Sequence, residues 1–192
     1  MTPYDAFDDP YCYKGTSVLK NKAGLRDQAG LEGFELEMSS VRATEPAPTG
    51  KFDPAHYRAL HRHLFQDVYS WAGKYRMVRT GKGGNAFCYP EFIEAEMQNL
   101  FGDLAHPSFS AGAPAAAFLQ AVSKFLADLN AIHPFREGNG RTQLAFLVLL
   151  AERAGHRLDL TALRPKAFLK AMIVSFNGDN APLTRELKRM VA

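Results

Sequence analysis

Cysteine is scarce in this chain of 192 residues, which contains only Cys12 and Cys88. Neither has a partner at the spacing of a metal-ligand pair, so we expect no structural zinc site and two reduced thiols, as in a cytoplasmic protein.

The apolar runs of the chain are also short. No stretch of about 18 or more apolar residues occurs, which predicts that the chain spans no membrane. The first nine residues are acidic and lack the apolar centre of a secretion signal.

The chain also lacks a large excess of charge of either sign. The formal net charge is +3, and basic residues alternate with acidic ones along the chain. The densest basic clusters lie at residues 20–22 and 61–63, and we interpret both as solvated faces. The histidines outside residues 133–142 are expected at the surface or in packing (His56, His61, His63, His106 and His156). The chain is therefore predicted to bind no nucleic acid directly.

The spacing of apolar residues indicates a chain that is mostly helical. Helices are predicted over residues 25–41, 53 to about 71, 90–103, 114–132, 140–154, 165–176 and 182–190. Alternation in residues 75–79 and the glycines that follow predict one β-hairpin over residues 75–89. Hydrophobic residues at 46% are ordinary for a globular protein, and no repeat or long linker divides the sequence. We expect one domain over residues 1–192, an all-α bundle with a small β-hairpin.

Residues 133–142, His-Pro-Phe-Arg-Glu-Gly-Asn-Gly-Arg-Thr, concentrate the groups that could carry chemistry. His133 titrates near neutral pH, which suits removal of a proton from an attacking hydroxyl. Glu137 offers the hard oxygen that Mg²⁺ prefers, with water and phosphate as the other ligands. The same short segment thus supplies a candidate general base and a candidate metal ligand.

An anion site is predicted in the same segment. Gly138 and Gly140 allow positive φ and close backbone approach, so that successive N–H groups can converge on an anion. The apolar helix that follows adds the positive end of its dipole. Arg141 can contact phosphate oxygens and stays charged at any working pH. The combination favours transfer of a phosphate-containing group from a nucleotide to a hydroxyl.

This segment resembles the Fic-domain signature, His-x-Phe-x-(Asp/Glu)-Gly-Asn-Gly-Arg, at every fixed position. Residues 69–76, Tyr-Ser-Trp-Ala-Gly-Lys-Tyr-Arg, are similar to the family's segment leading into its flap. Residues 13–22 are similar to the opening of compact bacterial members. The resemblance implies a Fic-type helical bundle in the bacterial cytoplasm. Its parts would be an N-terminal helical extension (13–52), a core (53–176) with the flap (75–89) and signature loop (133–142), and a C-terminal helix (177–192).

The resemblance also implies an activity. Fic enzymes are commonly protein adenylyltransferases, which move AMP from ATP to a Ser, Thr or Tyr hydroxyl of a target protein, with Mg²⁺. By position, His133 would be the base, Glu137 would hold Mg²⁺, and Arg141 would contact the phosphate chain. The phosphate cradle would comprise Gly138, Asn139 and Gly140. The target would dock on the flap by strand addition, the candidate docking residues being Lys82, Gly83, Gly84, Asn85, Ala86 and Phe87.

One position departs from the pattern of many adenylylating relatives. They carry a second arginine that grips the γ-phosphate, and Leu144 stands there in this chain. Autoinhibited relatives also carry a helix with Ser/Thr-x-x-x-Glu-Gly/Asn, which we do not find. The similarity to toxin-type members then implies a separate small antitoxin as partner, with type II topoisomerase ATPase subunits as first target. Alternatively, Leu144 removes the need for that switch.

Two other functions compete with adenylyl transfer. The family's kinase branch also lacks the second arginine, so the chain could be a phosphotransferase acting on a translation factor or GTPase. That branch replaces Gly-Asn-Gly with Ala-Asn-Lys, whereas Gly138 and Gly140 are present here, which favours adenylyl transfer. The chain could instead be a non-catalytic scaffold or secreted effector module. The presence of both His133 and Glu137 argues against that interpretation.

Overall fold

A computed structural model describes residues 9–82 and 84–191. Within these ranges the chain forms seven α-helices, and each predicted helix is present. They are α1 (Gln28–Thr44), α2 (Pro54–Phe65), α3 (Ile93–Gly102), α4 (Ala115–Ile132), α5 (Asn139–Ala154), α6 (Pro165–Ser175) and α7 (Ala181–Met190). The all-helical class is therefore confirmed. No helix in the described part of the chain is both long and apolar enough to cross a bilayer.

The second helix is shorter than predicted. The stripe of apolar residues continued to Trp71, but α2 ends at Phe65 and the chain then turns, with Val68 and Tyr69 both donating to the Phe65 carbonyl. Val68 and Trp71 are nevertheless buried. The apolar spacing persisted past the helix end because these turn residues also enter the core.

The predicted β-hairpin over residues 75–89 is wrong in extent. Only β1 (Gly81–Lys82) and β2 (Asn85–Ala86) pair, antiparallel, with Gly81 opposite Ala86 and Lys82 opposite Asn85. The alternation was misleading because its faces are reversed: Arg76 is 2% exposed, whereas Met77 is 77% exposed. We call residues 75–89 the hairpin segment below, and Gly83 lies outside the described residues.

The chain divides into two compact units. The first, which we call the signature unit, runs up to Glu94 and includes His133–Thr142. The second, which we call the helical unit, comprises Ala95–Ile132 and the residues from Gln143 onward. In the helical unit α7 packs on α4 and α6. The single Fic domain over residues 1–192 stays a prediction.

The signature unit contains a capped helix, α2, and an aromatic stack that packs on it. Asp53 caps α2 by accepting from the N–H of His56 at 2.8 Å, with Pro54 at the first helical position, as its sequence indicates. The ring of Phe135 stacks on that of His61 on α2, with 3.7 Å between centroids. The signature loop is thereby packed against α2.

Candidate active site

His133 follows the last residue of α4 and adopts a backbone conformation that is rare for this residue type. Its φ is 49°, in the left-handed region that favours glycine. Arg76 holds this backbone: its Nε donates to the His133 carbonyl at 2.8 Å, and its N–H donates to the Pro134 carbonyl at 2.9 Å. The cost of the unusual φ is offset by these contacts, so the position of the imidazole is set by the fold.

The imidazole of His133 is half-buried and lies against the hairpin segment. Its ring stacks on that of Phe87, with 3.9 Å between centroids and 5° between planes. Phe87 itself is only 7% exposed. This stacking fixes the plane of the ring, and its Nδ1 atom is buried. Phe87, predicted to contact a target, is thus directed at the candidate base.

The side chain of Asn139 closes the signature loop. Its Oδ1 accepts from the N–H of Phe135 at 3.0 Å, and its Nδ2 donates to the Phe135 carbonyl at 2.8 Å. Asn139 is 2% exposed. Both polar ends of its carboxamide are therefore engaged inside the loop, and its backbone N–H is the part left for a phosphate cradle.

The two signature glycines have different roles. Gly138 has φ 81°, and a Cβ there would lie 2.4 Å from the Phe65 ring. Gly140 is in the first turn of α5 without a positive φ, and a Cβ there would meet nothing within 4 Å. Of the two glycines that could adopt positive φ, only Gly138 does so, because Gly140 is already helical. The open space beside it leaves room for a ligand.

The candidate anion site centres on the N-terminus of α5, because the N–H of Gly138 is engaged by Glu137. The Gly138 N–H donates to Glu137 Oε1 at 2.8 Å, and its carbonyl accepts from the Thr142 N–H at 3.1 Å. The N–H groups of residues 139–141 begin α5 and have no carbonyl further back in the helix. These groups and the helix dipole are what this loop can offer to phosphate.

The carboxylate of Glu137 fits the magnesium role. Its side chain is 32% exposed. Burial, and then the charge of Glu35, raise the pKa of the Glu137 carboxyl. A bound cation would relieve both effects. No cluster of three or more metal-ligating side chains occurs among the described residues. A single carboxylate beside a phosphate site is the pattern of Mg²⁺ bound through one protein ligand, phosphate and water.

His61 orients the backbone of Glu137, a role that the sequence did not indicate. Its Nδ1 accepts from the Gly73 N–H at 2.8 Å, so Nε2 carries the proton and donates to the Glu137 carbonyl at 3.0 Å. His61 is fully buried, and burial lowers its pKa to about 3. The interpretation of residues 61–63 as a solvated cluster is therefore wrong at His61.

Arg141 is bound to α1. Its guanidinium forms an ion pair with Glu35 and donates to Ser39 Oγ at 3.0 Å. It also lies over the Phe65 ring, 4.7 Å from the centroid, and 4.0 Å from Glu137 Oε1. The side chain is 33% exposed, so a phosphate could still reach it. The sequence predicted a phosphate contact here but not the partners on α1.

The hairpin segment is tied to the signature loop by Arg76. Besides the His133 carbonyl, its guanidinium donates to the carbonyls of Val78 at 2.7 Å and Cys88 at 2.5 Å, one on each arm of the segment. Of the predicted docking residues, Gly84 turns the chain with φ 85°, and Ala86 is exposed.

A known protein family and several of its members match this chain. The sequence pattern of the Fic/DOC family matches residues 51–151, from just before α2 through most of α5. The chain belongs to the Fic/DOC family. A probable protein adenylyltransferase of Sinorhizobium fredii is 56% identical over 192 residues, 100% of both chains. The probable protein adenylyltransferase Fic of Escherichia coli is 33% identical over 186 residues, 96% of this chain and 92% of the relative.

A solved Fic-family structure has the same fold and a nucleotide. The BepC effector of Bartonella tribocorum, crystallised with bound AMPPNP, matches with a TM-score of 0.85 and 27% identity, over 95% of this chain and 96% of that one.

Within the Fic signature of our chain, Arg136 is buried in an ion pair with Asp9 at 2.6 Å. Leu144 is half-buried on α5. Arg141 is therefore the signature arginine that stays partly exposed.

Proposed function

We propose that this Fic-family protein is an adenylyltransferase that moves AMP from ATP to a Ser, Thr or Tyr hydroxyl of a target protein. The observation that carries the proposal is the signature loop. It keeps the imidazole of His133 partly exposed and begins α5 at Asn139, with open space beside Gly140. The names of the Sinorhizobium and Escherichia relatives and the nucleotide in the BepC structure support it.

The proposed reaction uses these groups in one displacement. His133 accepts the proton of the target hydroxyl as that oxygen attacks the α-phosphorus of ATP. The bond from the α-phosphorus to the bridging oxygen breaks, pyrophosphate leaves, and AMP remains on the target. The N–H groups at the start of α5 face the charge that develops on the transferred group. Because the loop fixes them in advance, little reorganisation is needed.

Mg²⁺ would be held by Glu137 together with phosphate and water. When bound, it would supply positive charge to the phosphate chain. His61 and the Gly138 N–H orient Glu137 through its carbonyl and its carboxylate, respectively. Such supporting contacts set the direction in which a ligand oxygen points.

The hairpin segment would receive the target. Its two-residue strands leave backbone groups that an extended peptide could pair with. Phe87 stacks on His133, so a peptide docked there would bring its hydroxyl towards the base. By resemblance, we propose a toxin restrained by a separate small antitoxin, with type II topoisomerase ATPase subunits as the first targets to assay.

Labelled ATP tests the proposal. The purified chain is incubated with Mg²⁺, a bacterial lysate and ATP labelled at either the α- or the γ-phosphate. We expect a protein band that keeps label only from the α position. His133→Ala should lower labelling by roughly 10²–10⁴-fold, the usual contribution of a general base. His63→Ala, which removes a half-exposed imidazole from α2, is the matched control and should label normally.

Two results would replace the proposal. Label retained from the γ position would identify a phosphotransferase, the activity that Leu144 leaves open. Equal labelling by the wild type and His133→Ala would remove the base assignment, and an unchanged biological effect of that variant would point to a binding module.

A further inference from the structure

Arg141 lies between two carboxylates, and it pairs with the more distant one in sequence. Glu137 is four residues away on the same turn of chain, yet its Oε1 is 4.0 Å from the guanidinium. Glu35, 106 residues away on α1, forms the direct ion pair. The guanidinium is therefore within reach of Glu137 but is held closer to the carboxylate on α1.

The site on α1 is built to hold the guanidinium. Glu35 is 8% exposed and also accepts a hydrogen bond from the hydroxyl of Tyr69. Ser39, 3% exposed and one turn further along α1, accepts from a second nitrogen of Arg141. The Phe65 ring covers a face of the same group. Buried, multiply bonded ion pairs are costly to break because each charge then loses its compensation.

We propose that Glu35 is a positioning residue of the active site. By holding Arg141 on α1, it keeps the guanidinium 4.0 Å from Glu137 Oε1 instead of in direct contact, and so leaves the Glu137 carboxylate available to the metal ion of the nucleotide. The inference rests on the proposed function, since it takes Glu137 as the metal ligand. Glu35 acts through Arg141 and touches neither metal nor substrate.

Metal binding tests this role without any transfer reaction. The affinity for Mn²⁺, used in place of Mg²⁺, is measured by electron paramagnetic resonance at saturating ADP. Glu35→Gln keeps the size of the side chain and an acceptor for Tyr69 but removes the charge. We expect Mn²⁺ to bind about 10-fold more weakly, the lower end of the effect of losing a supporting contact at a metal site. Glu37→Gln, the same change at an exposed position of α1, should leave the affinity unchanged.

A double variant separates positioning from general damage. If Glu35 acts by holding Arg141 away from Glu137, then Glu35→Gln should change Mn²⁺ affinity little in a protein that already carries Arg141→Gln. A merely structural role of Glu35 predicts the same loss of Mn²⁺ affinity with and without Arg141. Should Glu35→Gln fail to fold, Ser39→Ala removes only one acceptor of Arg141 and should weaken Mn²⁺ binding a few-fold.

Failure of the positioning role of Glu35 can be distinguished from failure of the proposed function. Wild type against Glu137→Gln decides whether Glu137 binds the metal at all. If it does, unchanged Mn²⁺ affinity in Glu35→Gln, or in Ser39→Ala where the first variant is unfolded, overturns the positioning role. Tighter Mn²⁺ and ADP binding in Glu35→Gln also overturns it, because Glu35 would then be a competitor of phosphate for Arg141.

Discussion

Gly138 and Gly140 stand two positions apart in the signature loop, and the fold requires glycine at only one of them. At Gly138 the positive φ and the Phe65 ring both exclude a side chain. At Gly140 the backbone is helical and the space beside it is open, so a methyl group would meet no protein atom. Under the proposed function, a phosphate that approaches the start of α5 would account for glycine at this position.

Alanine at each glycine should separate stability from binding. Gly138→Ala should lower the free energy of unfolding by roughly 2–4 kcal/mol, from overpacking and the left-handed backbone. Gly140→Ala should change stability by less than about 1 kcal/mol and weaken ADP binding instead. Urea unfolding and calorimetric titration with Mg²⁺ and ADP measure the two effects. Normal nucleotide affinity in Gly140→Ala would show that phosphate does not lie there.

At the scale of the element, the hairpin segment has little regular structure of its own. Its strands are two residues each, and isolated two-stranded pairs are marginal in water. Arg76 compensates by binding a carbonyl on each arm and a third at His133. The same guanidinium thus orders the proposed docking surface and the backbone of the candidate base.

Replacement of Arg76 should loosen the hairpin segment. Arg76→Gln leaves buried carbonyls without their donors, at about 1–3 kcal/mol for each unsatisfied group. Hydrogen exchange should accelerate at the N–H of Phe87, which donates to the Thr80 carbonyl at 3.1 Å. Amides of α7, in the helical unit, serve as the internal control. Wild-type protection at Phe87 would mean that the segment is ordered without Arg76.

Stability of the whole molecule is linked to pH through His61. The pKa of this buried ring is lowered to about 3, from 6.5 in the unfolded chain, because burial disfavours its charged form. Between these values the unfolded chain binds more protons than the folded one. The stability contributed by neutral His61 is therefore fully present above pH 6.5 and is lost as the pH falls from 6.5 towards 3.

Acidification from pH 7 to pH 5 should therefore cost about 2 kcal/mol through His61 alone. The His61→Gln variant should be less stable at pH 7, since it loses ring packing, but should lose less on acidification. His63→Gln keeps His61 and should retain the steep loss. Urea unfolding at both pH values measures these differences. Equal slopes in wild type and His61→Gln would refute the assignment.

Most of the fold could be predicted from local signals in the sequence. Asp53-Pro54 marked the start of α2 because a cap and a proline act within one turn, and the spacing of apolar residues located the other helices within a few positions. The hairpin segment was overestimated because Arg76 is buried and Met77 is exposed, the reverse of what alternation implies. The candidate site residues could be proposed from the sequence because their chemistry is concentrated in ten positions.

The sequence by itself determined the helices, the family and the chemical groups of the site, since each depends on neighbours within a few residues. Only the tertiary structure decided which partners those groups have. Glu35 meets Arg141 across 106 residues, and His61 meets Glu137 across 76. Such separations leave no periodic trace in a sequence. A buried polar atom takes its partner from whatever element packs against it, and that is settled by the folded core.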